Sequence, residues 1–297
     1  MGGALTQLDW RLIFLINLPV GAIALALLTQ VPRSVQQTRP FDWSGQIAAM
    51  IGLGGLTFGI IEGADRGYGD AQVLGSFVLA AVGAVVFGVA QTRGQHPMVP
   101  VELFKSPAVT AGLAVAFVNM AAFCGVVFLQ SLYFQQQRDA SPLATGMLFL
   151  PMSALVVVLN PIVVRAMERF GKLPTTIGGQ ILVATGLVCL SFLPPEAPTV
   201  VAALLMVPVG VGGSFTVPPL TALILDHVPA DRAGTASGVL NTARQMGGSI
   251  GVAVFGAVLS LQPDFIGGLQ LGFRISAALV VLAAASLLLR RETRRTP

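Results

Sequence analysis

The chain has 297 residues, of which 54% are hydrophobic and only 10% are charged, and its mean hydropathy is +0.81. In a soluble domain about a quarter of the residues are charged, so this composition excludes an ordinary water-exposed surface. The net charge of +4 does not indicate a nucleic-acid partner, because the basic residues lie in short connectors and in the C-terminal tail rather than on one basic face.

Apolar stretches of membrane-spanning length follow one another along the whole chain. A helix needs about 20 apolar residues to cross the hydrocarbon core, and in lipid it pairs every backbone N–H and C=O internally. We therefore predict an all-α, polytopic transmembrane helical bundle of about nine spans, surrounded by the lipid bilayer. The predicted spans are 11–29, 43–62, 73–92, 108–132, 143–165, 173–193, 198–226, 236–260 and 270–289.

Basic residues are concentrated on alternate connectors. Arg11, Arg66, Arg138 and Arg274 lie on one side of the predicted membrane, and the other thirteen of the 17 Lys and Arg residues lie on the opposite side. By the positive-inside rule the richer side is cytoplasmic. This predicts a multi-pass protein of the inner or plasma membrane with its N-terminus outside and its C-terminus in the cytoplasm. An outside start without a signal sequence suggests that further chain precedes it in the natural gene.

Amides and hydroxyls lie inside several predicted spans. Asn119 and Gln130 lie in 108–132, Asn160 lies in 143–165, and Thr216 lies in 208–219, where glycines and prolines would kink the helix. Buried amides either join neighbouring helices or line a polar pathway, and the sequence leaves both roles open. The candidates for lining such a pathway are Asn119, Gln130, Asn160, Thr216, Asn241 and Gln245.

The span 236–260 has a polar face and a glycine-rich surface. Ser237, Asn241, Arg244, Gln245, Gly248 and Val252 recur at spacings of three and four residues and so share one helix face. Gly247, Gly248 and Gly251 permit close contact with another helix. Arg244 lies about 12 Å into the span, where an arginine costs about 2.5–3.5 kcal/mol. Arg244 therefore either lines a gate or cavity, or snorkels to the surface as an anchor.

The connector 165–174 carries a cluster of charges, with a glycine that allows a tight turn. Its residues Glu168, Arg169, Gly171 and Lys172 fit either a latch whose ion pairs change with conformation or an ordinary basic cytoplasmic loop. No Asp or Glu lies in the middle of a predicted span. The chain also lacks a G-x-x-x-x-G-K-[ST] phosphate loop and the G-x-S-x-G and H-E-x-x-H motifs, so it has no signature of an enzyme, a cofactor or a metal site.

Five motifs in order resemble one family. They are WRLIFLINLPVG (Trp10 to Gly21), FDWSG (Phe41 to Gly45), HPMVPVELF (His96 to Phe104), SPLATGMLFLP (Ser141 to Pro151) and RAGTASGVLNTARQMGGSIGVA (Arg232 to Ala253). Together they resemble the fourteen-span drug:proton antiporters of the major facilitator superfamily. Glu168-Arg169-x-Gly171-Lys172 is similar to the core of the family's cytoplasmic loop motif, although Val164 stands where its leading glycine is expected.

The resemblance implies that the chain corresponds to the family's sixth to fourteenth spans. Residues 1–30 would then be the last span of the N-terminal half, 31–107 two linker spans with a cytoplasmic connector, and 108–297 the C-terminal six-helix half. The full-length form would export amphipathic small molecules in exchange for protons, with the proton gradient as its energy source and no cofactor. The family's first five spans, which this chain would then lack, carry proton coupling in the family. This chain would therefore be a truncated fragment, one subunit of a split transporter, or a non-transporting membrane scaffold.

Overall fold

The structure is a computed structural model that describes residues 3, 5, 9, 11–30, 42–94, 99 and 101–292. Its α-helices are α1 (Leu12–Leu15), α2 (Asn17–Leu28), α3 (Trp43–Arg66), α4 (Ala71–Arg93), α5 (Pro107–Leu132), α6 (Pro142–Leu148), α7 (Leu150–Phe170), α8 (Lys172–Ser191), α9 (Thr199–Leu225), α10 (Ala233–Leu261) and α11 (Phe265–Glu292). Short 3-10 turns at Val101–Lys105 and Ala230–Arg232 precede α5 and α10. The connector with Arg33 and Arg39, the motif residue His96, and Arg294 and Arg295 of the tail lie outside the described residues.

The predicted fold class is confirmed. Within the described residues there is no strand, and eight helices are long and apolar enough to cross a membrane. The segment 142–170, which contains α6 and α7, counts as one of them. The first predicted span, 11–29, forms the shorter apolar helix Leu12–Leu28, and every residue of α2 is exposed. A helix that is apolar all round and unburied is stable only in lipid or against another helix.

Helices α3 and α4 form a hairpin that packs through small residues. Asp42 and Asp70 cap the two helices by accepting hydrogen bonds from backbone N–H groups of the first turn. A Cβ at Gly83 would lie 2.6 Å from the backbone nitrogen of Gly52, so only glycine lets the helices approach this closely. Gly67 ends α3 with φ +89°, a conformation that glycine adopts without strain.

The helices from α5 onward form a bundle in which α5 is central. It packs against α9, α10 and α11, while α8 packs between α9 and α11, and α7 lies against α9. The larger apolar core joins these helices through Leu129, Tyr133, Phe134, Leu187, Met206 and Phe273. Helix α9 continues through Pro208, Pro218 and Pro219 as a single helix, so the predicted glycine- and proline-rich run does not interrupt it.

Glycines set the distance between α5 and α10. A Cβ at Gly247 would lie 2.2 Å from the carbonyl oxygen of Phe117, and one at Gly251 would lie 2.7 Å from the Cα of Ala121. A Cβ at Gly248 would lie 3.2 Å from the Cys124 sulfur. Because the atoms that a Cβ at Gly247 would meet are backbone atoms of Phe117, they cannot move aside as a flexible side chain would.

The two ends of the bundle are held differently. At one end, called the ion-pair end, lie the pairs Lys172–Asp226 and Arg232–Glu102. At the other end, called the Arg138 end, α5 finishes in a π-helical turn, Tyr133–Gln137. There the Arg138 guanidinium donates to the Tyr133 hydroxyl and to the carbonyls of Pro195 and Ala197, which joins α5 to the connector between α8 and α9.

We predict that Gly247→Ala lowers the stability of the bundle by about 1–3 kcal/mol, the range measured when extra atoms are forced into a packed site. Gly238→Ala is the matched control on the same helix, since a Cβ there meets no atom within 4 Å. The measurement is the temperature at which half of the detergent-purified protein leaves the monodisperse gel-filtration peak. Equal midpoints for the two variants would contradict the close α5–α10 contact.

Candidate functional site

A buried polar cluster joins three helices in the interior of the bundle. Gln180 on α8 donates through Nε2 to the Asn119 side-chain oxygen on α5 and to the Thr216 hydroxyl on α9, each at 3.1 Å. The Thr216 hydroxyl in turn donates to the Gly212 carbonyl at 2.9 Å. Asn119, Gln180 and Thr216 are all buried. These contacts bring together two of the predicted pathway residues, Asn119 and Thr216.

Gln180 was not among the predicted pathway residues, although it is the residue that connects the other two. It lies in the predicted span 173–193. Gln180 carries the same sequence signal as Gln130, because each is an amide inside an apolar run. Gly179 beside it is also constrained, because a Cβ there would lie 2.6 Å from the Thr216 hydroxyl. The short residue therefore lets α8 and α9 approach closely enough for the cluster to form.

Gln130 is buried without a hydrogen-bond partner. It lies on α5 and is fully buried, and neither its Nε2 nor its Oε1 has a partner among the described residues. A buried amide that makes no hydrogen bond carries the whole cost of its desolvation. Gln130 is thus a polar group held in the apolar core at a cost to stability. It makes no hydrogen bond to the cluster of Asn119, Gln180 and Thr216.

Three other predicted pathway residues are exposed. Asn241 and Gln245 lie on one face of α10, together with Ser237 and Ser249, at spacings of four residues. Asn160 is exposed on α7. The reason is that α7 contacts the bundle chiefly through α9 and buries only Met152 and Val163. The described residues therefore carry polar groups both inside the bundle and on its surface.

Arg244 reaches across to a neighbouring helix. Its guanidinium donates to the Thr221 hydroxyl of α9 at 2.7 Å and approaches the Val217 carbonyl at 3.5 Å, and the side chain is half-buried. These contacts tie the guanidinium of α10 to α9. Gly247, Gly248 and Gly251, one and two turns further along α10, lie against α5 as described above.

The connector between α7 and α8 turns at Gly171, whose φ is +88°. Lys172 follows directly and forms an ion pair with Asp226 at the end of α9. The Arg169 guanidinium lies 5.4 Å from the centre of the Phe170 ring, and Glu168 is exposed. The partner that the described residues supply to this loop is therefore Asp226, which the sequence pattern did not select.

A second ion pair ties the turn before α5 to the turn before α10. Glu102 pairs with Arg232, whose hydrogen bond and charge hold the pKa of Glu102 below its usual value of 4.5. A carboxyl with a lowered pKa contributes stability above its ordinary pKa, and this contribution is lost as the pH falls through the lowered value. Both ion pairs are solvent-exposed, so each contributes little to folding.

An apolar cavity of about 1040 Å³ lies between the α3–α4 hairpin and the bundle. Its walls come from α3 and α4 on one side and from α5 and α10 on the other, with Leu53, Phe87, Phe117 and Met246 among the lining residues. The volume matches the upper range of small-molecule sites. Thr235 and Thr242 are polar residues of the same wall, on the side formed by α10.

These features define a polytopic helical membrane protein with polar groups in its interior. The family model described as Major Facilitator Superfamily matches residues 1–252. The chain therefore belongs to the major facilitator superfamily of membrane transporters, as the sequence motifs predicted.

Several curated relatives match most of the chain. It is 34% identical over 266 residues to the multidrug resistance protein Stp of Mycobacterium tuberculosis, covering 88% of this chain and 49% of that protein. It is 30% identical over 265 residues to the tetracenomycin C resistance and export protein of Streptomyces glaucescens, with the same coverage. It is 29% identical over 302 residues to a methylenomycin A resistance protein of Streptomyces coelicolor, covering 100% of this chain and 63% of that protein. The chain spans about half the length of the first two.

We predict opposite effects for two glutamine substitutions of the same kind. Gln180→Met removes two interhelical hydrogen bonds and should lower stability by about 1 kcal/mol or more, since such bonds contribute about 0.6 kcal/mol each in membranes. Gln130→Met replaces an unpaired amide by an apolar side chain of similar size and should leave stability unchanged or raise it. Thermal midpoints of the purified variants measure both effects. A larger loss for Gln130→Met than for Gln180→Met would contradict the hydrogen bonding described here.

Proposed function

We propose that this chain is the C-terminal part of a drug exporter that moves amphipathic small molecules out of the cell in exchange for protons. The observation that carries the proposal is the match of 88% or more of the chain to relatives named as multidrug or antibiotic resistance proteins, one of them named as an export protein. The energy source would be the proton gradient, and no cofactor would be needed.

Further helices would complete the transporter. The first two relatives are about twice as long as the region that matches this chain. The exposed polar face of α10 supports the same proposal, because Ser237, Asn241, Gln245 and Ser249 would otherwise face hydrocarbon, where polar groups are costly. In the complete transporter this face would contact the N-terminal half or line an aqueous cavity between the two halves. Those helices would come either from the same polypeptide or from a separate subunit.

The substrate pathway would run along α5, α7, α9 and α10. Asn119 and Thr216 would contribute through the cluster centred on Gln180, and Gln130, Asn160, Asn241 and Gln245 would contribute as further polar positions. The amphipathic character of the substrate is consistent with these few polar groups among apolar walls. Arg244 would keep α9 and α10 together through Thr221 while Gly247 and Gly251 keep α10 against α5.

The connector with Glu168, Arg169, Gly171 and Lys172 would act as a cytoplasmic latch. The ion pair of Lys172 with Asp226 links the start of α8 to the end of α9, so it can hold these ends together in one conformation and release them in another. An exposed pair suits such a role, since it is weak enough to break during each transport cycle.

The proposed function is tested by a transport assay on the complete transporter. The chain would carry an affinity tag at its own gene locus, and the material purified through the tag would be reconstituted in vesicles loaded with ethidium. We expect ethidium export that needs a pH difference across the membrane and stops when an ionophore collapses it. The 297-residue chain reconstituted alone is expected to give no more ethidium movement than empty vesicles.

Three outcomes would contradict the proposal in different ways. Gradient-driven efflux by the 297-residue chain alone would exclude the need for further helices. A purified assembly that contains the front helices and does not export ethidium or another cationic dye under a pH difference would exclude drug:proton exchange. Purification of the tagged chain with an unrelated membrane protein and no front helices would favour the scaffold alternative.

The orientation is tested by fusion proteins. The ion-pair end is expected in the cytoplasm and the Arg138 end outside, because most basic residues lie on the connectors of the ion-pair end. A green fluorescent protein at the C-terminus should therefore fluoresce, whereas alkaline phosphatase inserted after Pro195 in the α8–α9 connector should be active. The exchanged fusions serve as controls and should both be silent. Active phosphatase at the C-terminus would reverse the orientation.

A further inference from the structure

A narrow groove runs along the outer surface of the bundle between α8 and α11. Its volume is about 440 Å³, and it does not overlap the large cavity beside the α3–α4 hairpin. Its rim is formed by aliphatic side chains that are themselves exposed, with Ile181 61% exposed and Val281 55% exposed. Both helices are of membrane-spanning length. The groove therefore opens to the hydrocarbon of the bilayer rather than to water.

One polar group in the wall of this groove has an unused hydrogen-bonding position. Gln180 lines the groove and is only 1% exposed. Both N–H bonds of its amide are taken by Asn119 and Thr216, on the α5 and α9 sides of the helix. Its Oε1 is buried and has no partner among the described residues. The amide nitrogen is therefore fixed, and the oxygen is the amide atom that has no partner among the described residues.

The chemistry of the groove selects the kind of molecule. An acceptor oxygen needs a donor, which excludes ester carbonyls and ionised carboxylates, since these groups only accept hydrogen bonds. Gln180 lies eight residues from the start of α8, about 12 Å into the membrane, where a charged group is costly. The rest of the lining is aliphatic apart from Thr185 and Cys189, and the Thr185 hydroxyl already donates to the Ile181 carbonyl.

We propose that the groove between α8 and α11 binds neutral, mainly hydrocarbon molecules that carry one hydroxyl group and that reach it from within the bilayer. The hydroxyl donates to Gln180 Oε1, and the hydrocarbon part lies along the aliphatic walls of α8 and α11. The groove itself opens on the outer surface between α8 and α11 and shares only the Gln180 cluster with the proposed substrate pathway, and binding there does not depend on transport. Through Gln180, an occupant of the groove would contact the cluster that joins α5, α8 and α9.

A photoreactive long-chain alcohol tests the proposal directly. The probe is hexadecanol with a diazirine in its chain, and its methyl ether is the matched compound that lacks the hydroxyl donor. The 297-residue chain in phosphatidylcholine vesicles is titrated with each probe, illuminated, and digested for mass spectrometry. We expect saturable labelling of peptides from 177–189 and 281–288, with the alcohol saturating at a three- to tenfold lower mole fraction than the ether, as one hydrogen bond in a membrane provides.

Four variants separate the groove from the rest of the bundle. Ala285→Phe should fill the groove and abolish saturable labelling by both probes, whereas Leu282→Phe, on a part of α11 that does not line the groove, should leave labelling unchanged. Gln180→Met should abolish the preference for the alcohol. Thr216→Val disturbs the same polar cluster but keeps the Gln180 oxygen, so the preference for the alcohol should persist.

Three results would overturn the proposal. Equal saturation by the alcohol and the ether in the unmodified chain would exclude a hydroxyl site at Gln180. Labelling that Ala285→Phe does not reduce would place the bound probe elsewhere. Absence of saturable labelling would mean that water alone satisfies the Gln180 oxygen. None of these readouts involves drug export, so the binding site and the proposed transport function can fail independently.

Discussion

Polar groups inside a membrane bundle are costly unless they find partners within the protein, because hydrocarbon offers none. The backbone pairs its own N–H and C=O groups by forming helices. This is why the described spans of this chain are all helical. Side chains meet the same requirement one at a time. Gln180 does so through Asn119 and Thr216, and Arg244 does so through Thr221. Each pairing crosses to a neighbouring helix, Gln180 to α5 and α9 and Arg244 to α9, so the satisfaction of polar groups also fixes which helices are neighbours.

Small residues make those pairings geometrically accessible. Hydrogen bonds of about 3 Å between helices require backbones that approach closely, and side chains on both faces would prevent this approach. Gly179 beside Gln180 lets α8 and α9 meet, and Gly247 and Gly251 do the same for α10 and α5. The glycines therefore make the interhelical hydrogen bonds possible, because they let the helices approach closely.

The helical architecture could be predicted from the sequence because it depends on local properties. Run length and hydropathy determine each span, so seven of the predicted spans from 43–62 to 236–260 lie largely within helices Trp43–Arg66 to Ala233–Leu261, and 270–289 lies within α11. The positions of polar side chains depend on neighbours that are distant in sequence. Asn119 and Asn160 look alike in the sequence, yet one lies on the central helix and is buried while the other lies on a peripheral helix and is exposed. Nothing local distinguishes them. The pairing of Lys172 with Asp226 could not be predicted from local sequence either, since 54 residues separate the two.

The Arg138 end also determines how the bundle can deform. One guanidinium holds the end of α5 to the connector that links α8 with α9, and its acceptors are a buried tyrosine hydroxyl and two main-chain carbonyls. The three helices α5, α8 and α9 consequently share an anchor at that end. Helix α7 buries only Met152 and Val163, so we expect it to change position in the bundle more readily than these three.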